Sequence, residues 1–267
     1  MNEESHWNKI ANRYEDEIFD VFRSDKNKKL PGYFQKHSSP SHFAIDFGCG
    51  VGKAFPYLSP LFGNVLGTDI SAECLAIAKT RPYANILFKQ ADLTKRGLRF
   101  PEADFAFCCN VVMLPEIEKN IEMLRNIQRA LRVGGAAVFV LPSLESILYS
   151  SGRMMEWYRK EGVAAAKITN SELSYYKGSK SHIVQGIMNI NGVPTKHYLE
   201  SEIQVLFAGA KLEVTAVDRV EYDWNTEFSE PPKWMKAPYP WDWLVECRKM
   251  NKVVPTDIQN LRFKIED

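Results

Sequence analysis

The chain has 267 residues, 45% of them hydrophobic and 25% charged, which is material for one large domain with its own core. Lys and Arg total 34 against 33 Asp and Glu, so no global basic field draws nucleic acid or an anionic membrane. The N-terminal MNEESHWNKI has no basic stretch followed by an apolar run, and no apolar run reaches the length of a membrane span, so the expected location is cytoplasmic. The five cysteines lack zinc spacing, and Cys108 and Cys109 lie inside an apolar run. Buried thiols are expected there, with neither a metal site nor a structural disulfide.

In chain order, HWNKIANRYEDEIFDVF carries apolar residues at helical spacing, and KNKKLPGYF breaks that pattern at Pro31 and Gly32. Residues 1–40 thus read as a helical cap. From Ser41 the rhythm changes. HFAIDF reads as a strand ended by Gly48, and KAFPYLSPLFG as a short or broken helix because of Pro56 and Pro60. NVLGTD is a strand, and SAECLAIAKTR a helix with Ser71 as its N-cap. NILFKQAD and DFAFCCN are strands. EIEKNIEMLRNIQRALRVGG is a helix, with Ile117, Ile121, Leu124, Ile127 and Leu131 on one face and Gly134–Gly135 as its stop. AAVFVLP is a fully apolar strand. This alternation predicts a parallel sheet with helices on both faces.

After Pro142 the alternation loosens. LESILYSSGRMMEWYRKEG reads as a helix and SHIVQGIMNINGVPTKHYL as a hairpin turning at Asn191-Gly192. ESEIQVLFAGA returns to helix, KLEVTAVDRVEYDW to strand, and PYPWDWLVECRKM gives a last apolar strand before a polar tail. The whole chain reads as a single domain, with an insertion at residues 144–198.

DFGCGVGK, residues 46–53, admits three ligand classes. A triphosphate loop requires a first glycine where Phe47 stands and a hydroxyl where Ala54 stands, so it is rejected. A dinucleotide fingerprint fits Gly48 and Gly50, but its third glycine is Lys53. The remaining pattern, Gly48, Gly50 and Gly52 directly after Asp46, suits a methyl donor with an amino-acid end and a sulfonium. Glycines permit close approach of backbone, and Asp46 can balance positive charge. Downstream, Asp69 ends the second strand, placed for ribose hydroxyls, and Asp92 ends the third, placed for an adenine amino group. With Asp46 and Asn110 they fall at the carboxyl ends of four consecutive strands, where ligands sit in open parallel sheets.

Together AIDFGCGVGK, GTDIS, QADL, DFAFCCNVVMLPE and LRVGGAAVFVLP resemble the class I S-adenosylmethionine-dependent methyltransferases of the small-molecule type. The resemblance implies a Rossmann-like, doubly wound α/β sheet of seven strands, the last antiparallel. It implies that Gly48, Gly50 and Gly52 line the methionine part, that Asp69 with Ile70 holds the ribose, and that Asp92 and Leu93 flank the adenine. Asn110 and Val111 would face the methionine amino group or the substrate. S-adenosyl-L-methionine would be consumed to S-adenosyl-L-homocysteine. The segment WNKIANRY resembles the one that folds over the cofactor in this family, so Trp7 and Tyr14 either touch ligand or anchor a surface helix. The Asn-Pro-Pro-Tyr motif of nucleic-acid amino-methylating enzymes is absent, since CCNVVML stands in its place.

A general base is needed only when the acceptor's proton leaves early. His197, Tyr14, His182 and Glu116 are the candidates, with His197 and Tyr14 preferred. Met154, Met155, Trp157, Tyr158, Tyr175 and Tyr176 form either a pocket wall or the underside of a lid; PPKWMKAPYPWDW edges the same pocket or pins the last strand. The expected partner is a small molecule with an apolar or aromatic part, with no nucleic acid, on a monomer or homodimer. A nicotinamide-dependent oxidoreductase and a non-catalytic protein of the same fold stand as alternatives.

Overall fold

The computed structural model describes residues 3–169, 172 and 174–250; the polar C-terminal tail lies outside them. In chain order the elements are α1 (Glu3–Ile10), α2 (Tyr14–Glu17), α3 (Val21–Ser24), α4 (Lys29–His37), β1 (Ser39–Phe47), α5 (Phe55–Leu58), β2 (Phe62–Asp69), α6 (Ala72–Ala78), β3 (Ile86–Gln90), β4 (Ala103–Cys109), α7 (Ile117–Ala130) and β5 (Leu131–Pro142). There follow α8 (Leu144–Lys160), α9 (Lys180–Val184), β6 (Ile187–Ile190), β7 (Val193–Lys196), α10 (Glu200–Gly209), β8 (Leu212–Glu221) and β9 (Trp241–Lys249). Seven strands form one sheet in the order β3-β2-β1-β4-β5-β9-β8. The first five run parallel, and β9 pairs antiparallel with both β5 and β8.

Strand periodicity sorts the core into two layers. On β4, Phe105 and Phe107 face one side and Ala106 and Cys108 the other. The first side is covered by α4, α5 and α6, with Phe34 of α4 packed edge-on against Phe107 at 4.9 Å. The second is covered by α7 and α10, where Phe207 meets Phe139 edge-on at 4.9 Å. β5 is buried from Gly135 to Pro142, as a central strand covered on both faces must be.

Four local expectations are corrected. Pro31 and Gly32 lie inside α4. Pro31 is the third helical residue, where a backbone N–H has no intrahelical acceptor, so a proline there costs little. The helix α7 stops at Ala130, and Gly134 and Gly135 belong to the irregular start of β5. Gly135 is needed because a Cβ would fall 2.9 Å from the Arg132 carbonyl and 3.1 Å from that of Ala103. The first seventeen residues of HWNKIANRYEDEIFDVF do not make one helix: breaks at Ala11–Arg13 and between α2 and α3 divide it. SHIV, read as part of a hairpin, forms α9.

Those short N-terminal pieces form a strap across the carboxyl ends of the strands. At one end Gln90 Nε2 donates to Glu4 at 3.1 Å and Ser71 Oγ to Asn8 at 2.7 Å. At the other, Lys26 N donates to the Glu221 carbonyl at 3.0 Å, Asn27 Nδ2 to the Glu221 carboxylate at 2.7 Å, and Lys26 pairs with Asp223. The inserted segment between β5 and α10 is stitched back to the same edge: Tyr198 N donates to the Pro142 carbonyl at 2.9 Å, and Lys196 N to that of Met113 at 2.8 Å.

Candidate active site

The loop after β1 is held by the end of β2. Gly48 N and Cys49 N both donate to the Thr68 carbonyl, at 2.7 and 2.9 Å. Gly50 N donates to Asp69 Oδ2 at 2.8 Å, and Ser71 N to Asp69 Oδ1 at 2.8 Å. Asp69 therefore fixes the glycine loop and the start of α6 at once, and each oxygen keeps further acceptor capacity. Burial raises its pKa against these hydrogen bonds. Asp46 is 2% exposed, and its Oδ2 has no hydrogen-bond partner among the described residues. Burial, then repulsion from Asp69, push its pKa up to about 8.

What fills the space over the glycines differs along the loop. A Cβ on Gly50, at φ +53°, would lie 2.4 Å from Tyr14 Oη, and one on Gly48, at φ +73°, 2.1 Å from Val111 Cγ2. Gly52 makes room for Phe55, which is fully buried, so its space belongs to the core. Tyr14 thus lies on the loop itself, with Trp7 beside it at 6.2 Å between rings. Burial, followed by the Asp69 carboxylate, raises the Tyr14 phenol well above its ordinary pKa, so it is neutral near pH 7. Lys53, the residue that spoils the dinucleotide pattern, points at the strap: it pairs with Asp20 at 3.3 Å and Glu15 at 3.4 Å and donates to the Ile18 carbonyl. It is unavailable to a phosphate.

Asn110, directly after β4, has φ +52°, an uncommon conformation for a residue with a side chain. Its Oδ1 is buried without a partner, and its side chain also hydrogen-bonds Asp242. Ile70 presents its carbonyl to Gln90 Nε2 at 3.0 Å. Asp92 bonds its own turn, accepting from Thr94 N and Thr94 Oγ1 at 2.9 and 2.6 Å, and Leu93 buries its side chain in the core.

Beyond Asn110 opens a cavity of about 280 Å³, lined by Phe19, Tyr175, His197, Tyr222, Glu227 and Asp242 among others. His197 is 6% exposed, and its Nδ1 engages the Thr195 carbonyl at 3.0 Å. Burial lowers its pKa to about 4, so it is neutral near pH 7 and a weak base. Glu116 is paired with Lys119 at 2.9 Å and exposed, and His182 is exposed on α9. Of the six expected wall residues only Tyr175 lines the cavity; Trp157 packs on Phe228 at 6.1 Å and Tyr176 bonds Ser151 at 2.7 Å.

The sequence reading missed Asp242 and Glu227. The signal for Asp242 was an acid between two tryptophans in an apolar strand, in PYPWDWLVE. Nothing local marks Glu227. Tyr222 Oη donates to Asp242 Oδ2 at 2.8 Å. Burial raises Asp242 to about 6; burial and then Asp242 raise Glu227 to about 7. A second groove, about 340 Å³ at Lys53, Arg81, Glu15 and Asp20, has these charges already paired with one another.

This strand order, with an antiparallel β9 set between β5 and β8 and an acid–glycine loop at the carboxyl edge, defines the class I methyltransferase fold. Solved structures share it: a methyltransferase from Methanosarcina mazei (16% identity, TM-score 0.59, 82% of this chain and 98% of that one), one from Anabaena variabilis (17%, 0.59, 93% and 96%), and the DhpI-SAM-HEP complex (15%, 0.59, 91% and 94%). Residues 44–135 match the model of the methyltransferase domain family. A Streptomyces fradiae protein, dTDP-3-amino-3,6-dideoxy-alpha-D-glucopyranose N,N-dimethyltransferase, is 32% identical over 72 residues, 24% of this chain. The match spans 28% of that protein's length.

S-adenosylmethionine fits the cradle. Its acceptors, Asp46 Oδ2 and Asn110 Oδ1, are buried and unsatisfied, and Asp46 and Asp69 lie close enough to repel each other. Such a set suits a ligand carrying positive charge and disfavours a diphosphate.

Proposed function

We propose that this chain transfers a methyl group from S-adenosylmethionine to a small molecule held in the cavity beside Asn110. The observation that carries the reading is Asn110 itself. One strained residue turns an unsatisfied oxygen into a buried site and hydrogen-bonds Asp242 on the cavity wall, so the donor cradle and the cavity share a boundary. The curated relative, whose name gives an amino-sugar substrate, supports a small-molecule acceptor. Residues 1–40 act as the cover and 144–198 as one wall of the acceptor site.

When bound, the donor supplies a methyl carbon already activated by its sulfonium. The chain's residues then have to position and to exclude water. Asp69 and Gly50 fix the loop, Asp46 balances the cation, and Tyr14 with Trp7 closes over it. Asp92 and the Leu93 backbone flank the adenine side.

Calorimetric titration with S-adenosylhomocysteine and with NADH tests this. The first is expected to bind and the second not to. Binding of NADH alone returns the oxidoreductase alternative, and binding of neither returns the non-catalytic one.

A further inference from the structure

We propose, building on that reading, that the acceptor is an amine: it enters the cavity as an ammonium held by Asp242 and passes its proton to Glu227 before methyl transfer.

The cavity's polar wall is biased toward accepting hydrogen bonds. Asp242 is reached by donors already spent on it, from Tyr222 Oη, the Asn110 side chain and Ser143 N. The Glu227 carboxylate makes no hydrogen bond or ion pair with any described residue, only its backbone N donating, to the Trp224 carbonyl. His197 has its Nδ1 proton committed to the Thr195 carbonyl, and its Nε2 has no partner among the described residues, although the imidazole is buried against the cavity. The donors left are all neutral: the Trp241 indole N–H, the Asn191 amide, the Tyr175 phenol and the hydroxyls of Ser143 and Ser146. No Lys or Arg lines the cavity. The nearest lysine in sequence, Lys196, is engaged by Glu202 at 2.7 Å and by two carbonyls.

Two carboxyls that repel each other in a partly dry pocket, with no cation to answer them, are expensive as built. A ligand bringing one positive charge and several N–H donors removes that cost. An alcohol brings one donor and no charge, and a carboxylate adds to the repulsion. The aromatic rings of Phe19, Tyr175 and Tyr222 then take the apolar part of the molecule.

The carboxyls also suit the proton's path. An ammonium nitrogen has no lone pair and cannot attack. The proton passes to the Glu227 carboxylate, the freed lone pair forms the N–C bond to the donor's methyl carbon, and the C–S bond breaks with its electrons going to sulfur. S-adenosylhomocysteine and an N-methylammonium result. Glu227 then releases the proton to water through the half-buried loop that carries it. The groups facing this pair are Tyr222 from the end of β8, Asn110 and Cys109 from the end of β4, His197 after β7, and Tyr175 from the insertion. All are neutral near pH 7, so the carboxyls and the ammonium set the titration.

The test uses full-length protein saturated with S-adenosylhomocysteine. Calorimetry reads binding of benzylamine, a linear alkylamine and an amino sugar, each against its matched alcohol and carboxylate. Transfer from radiolabelled S-adenosylmethionine to the same panel is measured in parallel. At least one amine is expected to bind and be methylated on nitrogen, at least tenfold better than its alcohol. Asp242→Asn is expected to raise the amine KM at least tenfold. Glu227→Gln is expected to lower kcat at least tenfold and to remove the acid limb of its pH profile, with S-adenosylhomocysteine affinity unchanged. Methylation of alcohols or carboxylates in preference to amines overturns the inference. So does an unaltered kcat and pH profile in Glu227→Gln, or failure of every amine to bind while S-adenosylhomocysteine binds. Failure of S-adenosylhomocysteine itself removes the proposed function instead.

Discussion

Asp46 offers a direct thermodynamic test of the cradle. In the folded chain its carboxyl is 2% exposed with an unpartnered oxygen, and burial with the neighbouring Asp69 raises its pKa to about 8. In the unfolded chain the same group ionises near pH ~3.9. Between roughly pH 4 and 8 the folded state therefore keeps a proton that the unfolded state has lost, and stability falls as pH rises. The slope is about 1.4 kcal/mol per pH unit. The loss reaches about 4 kcal/mol by pH ~7 and about 6 kcal/mol once the folded carboxyl ionises. Asp46→Asn keeps the volume and removes the proton. Urea unfolding of both proteins at about pH 5, 6, 7 and 8 should show the variant gaining on the wild type by about 1.4 kcal/mol per unit, whatever constant offset the amide introduces. The same carboxyl should ionise when a cationic donor binds, so binding near pH 7 should release close to one proton. Calorimetry in buffers of different ionisation heat reads that proton, and Asp46→Asn should abolish it. Parallel stability curves for the two proteins would refute the buried, protonated carboxyl.

Gly50→Ala places a Cβ 2.4 Å from Tyr14 Oη at φ +53°, so S-adenosylhomocysteine affinity should fall at least about tenfold, about 1.4 kcal/mol. Calorimetry should show part of that loss restored in the double variant with Tyr14→Ala, and no restoration would mean that the strap does not lie on the loop. Lys53→Met cuts the strap's ties to Glu15, Asp20 and the Ile18 carbonyl. Hydrogen exchange over residues 14–20 should quicken, with global stability changed by no more than about 1 kcal/mol because the partners are partly exposed.

Local chemistry was legible where it is carried by neighbours in the chain. Ser71 caps α6 by accepting from Cys74 N at 3.0 Å, and Asn191-Gly192 turns the β6–β7 hairpin with φ +50° and +88°. The order of acids at successive strand ends was legible for the same reason: each follows its own strand. Pro31 misled because its meaning depends on its place in the first turn, which pattern alone does not fix. At Gly52 only the fold shows that Phe55 lies beneath it. The cavity proposed for the acceptor was largely illegible. Glu227 and Asp242 are fifteen residues apart and converge with His197 and Asn110 only once β9 has inserted between β5 and β8. His197 was found, but the burial that turns it from a base into a neutral acceptor is a tertiary property.

The strap has a consequence for how the two ligands sense each other. Tyr14 covers the glycine loop and Phe19, five residues on, walls the cavity, with both ends of the segment tied down. One stretch of chain therefore borders both compartments. An acceptor whose contact with Phe19 shifts this segment is expected to change the donor's affinity, and linkage requires the donor to change the acceptor's by the same factor.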